Sequence, residues 1–460
     1  MFSVAGIFIS LFVLIYLAYR GWSVILIAPI MALAAVLMSG EVQLLATYTE
    51  IFMKHMAGFV KNFFPLFLLG AVFGAMMSAC GFAEAIAKQM SQIFGAKRAI
   101  ASVMFACAVL TYGGVSIFVV AFAVFPIAYS LFQQADIPRR LIPGTIALGS
   151  FTFTMTTLPG TPQIQNSIPM PYFGTTLYAA PILGLISSVV MVVLGLGWLG
   201  YRGRTLKGKG EKFTAVVNKL LTEKQNTGPQ IAVWKPWIPI AIVIVMTLFF
   251  SKFYFPAQNW DFLKSEPYST SAEKVVGTWS LIASLSLAIF SIFALCWGMR
   301  GQFIQTVNDG VQGALLAVIN TASEVGYGNV IAGLASFAVV KTWVLGVSSN
   351  PLISASLSTT FLAGITGSAS GGLSITLGSL GKELLMMAQQ QGISPEALHR
   401  VTTIACGGLD SLPHNGAVIT LLTICGLTHK ESYADVGMVT VVIPLITLTV
   451  AIALASVGVV

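Results

Sequence analysis

What most limits this chain is its succession of apolar runs of about 20 residues, a length that matches the ~30 Å hydrocarbon core of a bilayer at 1.5 Å per helical residue. Of its 460 residues, 56% are hydrophobic and only 9% charged, against about a quarter charged in a soluble domain. A bilayer, not water, is therefore the solvent. Lipid leaves backbone groups no outside partner, so a spanning chain closes its hydrogen bonds as helices or as a barrel, and runs of this length select helices. The expected class is an all-α polytopic membrane protein with little chain left for a globular domain.

The net charge of +8 does not point to nucleic acid, because the basic residues stand between apolar runs and form no polar face. They report orientation instead. With Arg20 on the cytoplasmic side, alternation puts Lys88, Lys97, Arg98, Arg139, Arg140, the basic stretch 202–235, Arg300 and Lys430 there too, which is most of the 24 Lys and Arg residues. Cys80, Cys107, Cys296, Cys406 and Cys425 lie inside apolar runs without CxxC spacing, so no zinc site, disulfide framework or cofactor is expected. The run 2–19 has no basic region before it and reads as a retained span.

Along the chain, 2–19 and 22–39 form a hairpin around Arg20-Gly21. A polar connection through Glu50 and Lys54 leads to a span at 58–80 and an amphipathic segment at 82–94. The runs 99–110 and 116–132 flank Thr111-Tyr112-Gly113-Gly114; the first arm is too short to cross, which indicates a re-entrant hairpin. The segment 141–172 is interrupted by Thr156-Thr157-Leu158-Pro159-Gly160-Thr161-Pro162-Gln163, whose prolines break a helix. A helix at 175–199 closes the first half before the basic stretch. Spans at 237–250, 275–297 and 311–339 follow, then a second hairpin at 353–387 centred on Gly367-Ser368-Ala369-Ser370-Gly371-Gly372. A second break runs from Gly407 to Gly416, and a last span covers 436–457.

The halves repeat. Gly114-Val115-Ser116-Ile117 matches Gly372-Leu373-Ser374-Ile375, and Ile146-Ala147-Leu148-Gly149 matches Ile404-Ala405-Cys406-Gly407 at the same offset. Leu158-Pro159 then aligns with Leu412-Pro413, and Gly81-Phe82 with Gly326-Tyr327. With the charge assignment, the hairpins enter from opposite faces. The expected organisation is an inverted-topology repeat with two re-entrant hairpins and two broken helices: 1–200, a basic cytoplasmic linker at 201–236, and 237–460.

Half-helix termini brought to the bilayer midplane present free N–H groups and partial positive charge, which suits anions. Glycines allow close approach, and hydroxyls and amides supply neutral hydrogen bonds. The candidate substrate-binding residues are Thr111, Tyr112, Gly113, Gly114, Ser116, Thr157, Gly160, Thr161 and Gln163 in the first half, with Ser368, Ser370, Gly371, Ser374, Ser411, His414 and Asn415 in the second. The competing explanation is that small residues merely let helices pack closely in lipid. Asp410, and Glu324 beside Asn320 and Asn329, are the ion-coupling candidates, because ionisable side chains at that depth cost about 2.5–3.5 kcal/mol on insertion scales. His55, His399 and His429 read as loop residues without a role.

Gly378-Ser379-Leu380-Gly381-Lys382-Glu383 is not a phosphate loop, since its spacing is wrong and Glu follows the lysine. No HExxH occurs, and no soluble portion is large enough for a nucleophile, base and oxyanion hole. An enzyme is not expected.

Three motifs, Thr157-Leu158-Pro159-Gly160-Thr161-Pro162-Gln163, Gly371-Gly372-Leu373-Ser374-Ile375 and Leu412-Pro413-His414-Asn415-Gly416-Ala417-Val418-Ile419-Thr420-Leu421-Leu422, resemble those of the GntP (gluconate permease) family, and the likeness extends over the whole chain in hydropathy and motif order. It implies secondary active transport of a sugar acid or hydroxy acid, commonly with protons. Gluconate-specific members carry a histidine among the prolines of the first break and an Asn-Asp-Pro-Gly-like second break. This chain departs at both and looks more like the D-beta-hydroxybutyrate permease branch, which favours a short monocarboxylate such as 3-hydroxybutyrate over gluconate. Related carriers of the ion-transporter superfamily imply a homodimer with an elevator-like transport domain. An uncoupled channel or an antiporter on the same fold stays open.

Overall fold

The computed structural model describes residues 2–20, 22–40, 43–95, 98–115, 117–214, 231–413 and 415–460. Ser116, His414 and residues 215–230 of the expected linker lie outside them.

The first part of the chain gives α1 (Phe2–Tyr19), α2 (Val24–Met38), α3 (Lys54–Ala79), α4 (Phe82–Phe94), α5 (Ala99–Tyr112) and α6 (Ile117–Gln134). The broken region is divided into α7 (Ile142–Ser150), α8 (Phe153–Thr156), α9 (Ile164–Ser167) and α10 (Met170–Phe173), before the long α11 (Pro181–Gly208). The remainder comprises α12 (Trp237–Phe249), α13 (Ala272–Leu295), α14 (Arg300–Gly333), α15 (Phe337–Gly346), α16 (Pro351–Thr366), α17 (Ala369–Gln390), α18 (Pro395–Cys406), α19 (Gly416–Cys425), α20 (His429–Gly437) and α21 (Ile443–Ser456). No strand occurs among the described residues.

Among the described residues, five stretches are long and apolar enough to cross a membrane: Leu44–Ala79, Pro181–Gly208, Trp237–Ala257, Val275–Leu295 and His429–Ser456. Three of them pass through a π-helical turn, at Thr47–Met53, Phe250–Tyr254 and Met438–Val442. Buried hydroxyls return to their own helix: Thr145, Ser150, Ser284, Thr402 and Thr447 each donate to the carbonyl four residues back. That is how polar side chains persist where no water can satisfy them.

Several boundaries differ from the sequence reading. The helix expected at 175–199 begins at Pro181, a residue suited to the first helical turn because it lacks an N–H, and it continues to Gly208. Residues 175–180 instead form a packed loop. The span expected at 311–339 is a helix from Arg300 to Gly333. The second hairpin turns at Gly367–Ser368, so Ser370, Gly371 and Ser374 belong to the first turns of α17 and not to a loop. Thr111 and Tyr112 likewise end α5, and the first turn itself is Gly113–Val115. Both turns depend on a glycine in the left-handed region, Gly114 at φ 93° and Gly367 at φ 62°.

One large apolar core joins the two parts of the chain, from Phe59 on α3 to Ala455 on α21. A smaller one packs α1 and α2 against Tyr327, Val330 and Ile331 of α14.

Candidate functional site

Helical order fails at both proline breaks, and each break is tied to the turn of the hairpin in its own half. In the first, Gln163 stands at the N-cap of α9 with φ −63° and ψ 145°, and its amide donates to the Thr111 carbonyl at 2.8 Å. Tyr112 donates its hydroxyl to the Pro159 carbonyl at 2.8 Å, and Gly114 faces the Pro162 ring. In the second, Asn415 stands at the N-cap of α19 with φ −63° and ψ 129°. Its amide donates to the Gly367 carbonyl at 2.8 Å and to the Asp410 carbonyl at 2.9 Å, while its oxygen accepts the Val418 N–H at 2.9 Å.

The first break is held firmly. Thr161 donates to the Thr154 carbonyl at 2.6 Å, Thr157 shares a 2.7 Å hydrogen bond with Ser188, and the Gly160 N–H donates to the Leu177 carbonyl at 2.9 Å. Gly160 has φ 81°, and a Cβ there would sit 2.5 Å from the Tyr178 ring, so no other residue fits. Most polar groups of this break are thus spent on structure. Beside it, the Thr111 hydroxyl at the end of α5 is buried without a partner, as is the Gln165 Oε1 of α9. Gly113 packs on Ile240, beside an apolar cavity of about 600 Å³ whose lining offers an anion nothing.

The second break is more open chemically. Asp410 is 6% exposed, and its carboxylate accepts from Ser411 at 3.0 Å. The cap of α19 is Asn415 and not Asp410. Tyr433 donates to the Ser411 carbonyl at 3.0 Å, and His429 bonds the Pro413 carbonyl at 2.9 Å. At the adjoining turn Ser368 caps α17 by accepting the Gly371 N–H at 3.1 Å and lies 3.4 Å from the Ser370 hydroxyl. Glu324 comes from α14 and packs on Gly371.

The two breaks meet through α18. Gly407 lies against the Thr156 methyl group, 3.0 Å from where a Cβ would sit. Arg400, wholly buried, donates to the Thr156, Leu177 and Ala179 carbonyls and to the Asn166 side chain at 2.8–3.2 Å. All five guanidinium N–H groups find acceptors, which a lysine could not do. Glu396, one turn earlier, accepts the Ala180 N–H at 3.0 Å. His399, expected in a loop, is buried on α18 and bonds Thr175 at 2.6 Å and Asn166 at 3.2 Å. His55 is also helical, on α3, and His429 opens α20.

Sequence reasoning missed Arg400, His399 and Asn166. The available signal was the pattern Ser394-Pro395-Glu396, which starts a helix and places Arg400 inside the following apolar run. An ionisable residue in a span is a functional candidate by default.

No model of a known protein family matches the chain. Over 450 residues the chain is 42% identical to a protein of Bacillus subtilis (strain 168) described as uncharacterized transporter YxjC, with 95% of each covered. The chain belongs to this transporter family. It is accordingly a multi-pass membrane protein of transport function. Its fold is similar to that of the Alcanivorax borkumensis YdaH transporter, whose crystal structure is described as revealing an unusual topology: the TM-score is 0.56 at 16% identity, covering 87% of this chain and 86% of that one. At that identity the likeness concerns the fold alone.

Proposed function

We propose that the protein is a cation-coupled secondary transporter that imports a small organic anion, a short hydroxy acid such as 3-hydroxybutyrate, with H⁺ favoured over Na⁺. The observation that carries this reading is Asn415, which caps α19 and at the same time holds the Gly367 turn that opens α17. Two helix N-termini, each with partial positive charge, are thereby side by side. An anionic group suits that position, and Ser368 and Ser370 supply neutral hydroxyls around it.

Asp410 would repel an anion in the same place unless a cation came with it, so its carboxylate supports coupling and not passive flow. The motifs that resemble the D-beta-hydroxybutyrate permease branch of the GntP family support a short monocarboxylate as cargo. In this reading the two halves are inverted repeats, the hairpins and breaks move together as an elevator-like transport domain, and the carrier works as a homodimer in the inner membrane. Loss of concentrative uptake on adding an uncoupler or removing sodium, with exchange of preloaded anion retained, tests the coupling.

A further inference from the structure

Helices α14 and α17 run in parallel with a steady register: Glu324 lies against Gly371, Gly328 against Ile375, and Asn329 against Gly378. That register sets Asn320, one turn before Glu324 on the same face, level with the turn at Gly367–Ser368. The carboxylate can lie this close because residue 371 is glycine; a Cβ there would displace the Glu324 carboxylate.

Three oxygens in this seam lack a partner. Glu324 is 9% exposed, and its Oε2, the Asn320 Oδ1 and the Ser374 Oγ are all buried without a hydrogen bond. An ionised carboxylate and an amide carbonyl only accept. Two such acceptors left in a membrane protein's interior are costly unless something positive lies between them.

We propose that Glu324 and Asn320, facing the second hairpin turn, bind one monovalent cation, H⁺ or Na⁺, between Glu324 Oε2 and Asn320 Oδ1. This deepens the coupled-transport reading and rests on it. A single carboxylate balances a single charge, and the described residues hold no group of three or more His, Cys, Asp or Glu side chains able to retain a metal ion. The site also explains how cation and anion are linked. An ionised Glu324 lies at the first turn of α17 and competes with an incoming anion for its positive end; a bound cation neutralises Glu324 and frees that end. Among the described residues on the elements packed against α14, the titratable side chains of Glu50, Lys54, His55, Lys61 and Lys382 are exposed and Glu383 is half-buried, so Glu324 is the buried carboxyl group of this seam.

The full chain in detergent, without any organic anion, is melted across a sodium series balanced with choline and across a pH series. The sodium arm gives saturable stabilisation at constant pH, and the proton arm gives sodium-independent stabilisation as pH falls. In either arm Glu324→Gln abolishes the response, and Asn320→Leu moves its half-point by at least tenfold in ion activity. Glu324→Asp, which keeps the charge, retains a weakened response and guards against misfolding of the Gln variant. An unchanged response in Glu324→Gln, or no response of the wild-type chain in either arm, overturns the proposal. Since no cargo is present, the result is separate from the coupled-transport reading: intact cation binding with no uptake would defeat that reading alone.

Discussion

The Asn415 side-chain amide reaches the Gly367 carbonyl at 2.8 Å, so one residue joins the second break to the second hairpin turn. Gln163 makes the counterpart contact with the Thr111 carbonyl, also at 2.8 Å. Each is the N-cap residue of the half-helix that follows its break, with nearly the same backbone angles. In each half a single side-chain amide thus ties the hairpin turn to the break.

Asn415 does two separable jobs. Asn415→Asp keeps the acceptor for Val418 but loses both donors, whereas Asn415→Ala loses everything. The Ala variant forfeits about 1 kcal/mol for the cap and leaves two carbonyls unpaired at about 1–3 kcal/mol each. Thermal melts should place both variants below wild type, and both should fail in uptake. An Asp variant that transports normally would show that the tie to Gly367 is dispensable.

Arg400 joins α18 to the first break through carbonyls alone apart from Asn166. Arg400→Met leaves the Thr156 and Ala179 carbonyls without this donor, while the Leu177 carbonyl keeps the Gly160 N–H and Asn166 keeps His399, and it should cost about 1–3 kcal/mol for each carbonyl left unpaired. Arg400→Lys keeps the charge but has three donors for five positions, and should recover only part of the stability. Chemical denaturation of the purified variants measures both.

Because Asn415 caps α19, Asp410 is released from that duty, and its substitution reports on transport. Asp410→Asn should fold, permit exchange of preloaded anion across the membrane and fail to accumulate it. Accumulation at wild-type level by this variant, at normal expression, would remove Asp410 from coupling.

Gly208 ends α11 and is exposed. Arg140 and Glu211 come within 3.6 Å of each other at the same end of the molecule. A cysteine at Gly208 should react with a membrane-impermeant thiol reagent only from the cytoplasmic side, and shortening 215–230 should spare transport. Labelling from outside intact cells would invert the topology and exchange the two hairpins.

The breaks were legible because proline clusters there with glycine and polar residues, as at Pro159-Gly160-Thr161-Pro162 and Leu412-Pro413, and both act locally; a single proline in an apolar run does not suffice, since Pro29, Pro65 and Pro126 stay inside helices. Helix ends that depend on packing were not. Residues 175–180 contain neither proline nor glycine, and contacts from distant residues, among them Arg400, Glu396 and His399 of the other half of the chain, hold them as a loop. Gly371 shows a third case. Its sequence neighbourhood signals close approach, but only the fold reveals that what approaches is the Glu324 carboxylate. His399 and Arg400 were obscured for a similar reason, since a hydrophilic pair near a proline resembles a loop until the Ser394 cap, accepting from Glu396 at 3.2 Å, places it inside a helix.

The most direct measurement of the central claim is uptake by proteoliposomes containing the full chain, with labelled 3-hydroxybutyrate and labelled gluconate, under separately imposed proton and sodium gradients. The account predicts accumulation of 3-hydroxybutyrate above its equilibrium level under an inward gradient of one cation, the proton gradient being favoured, with collapse of that accumulation when the gradient is dissipated and weaker uptake of gluconate. Uptake that only equilibrates the two sides and ignores both gradients would contradict it.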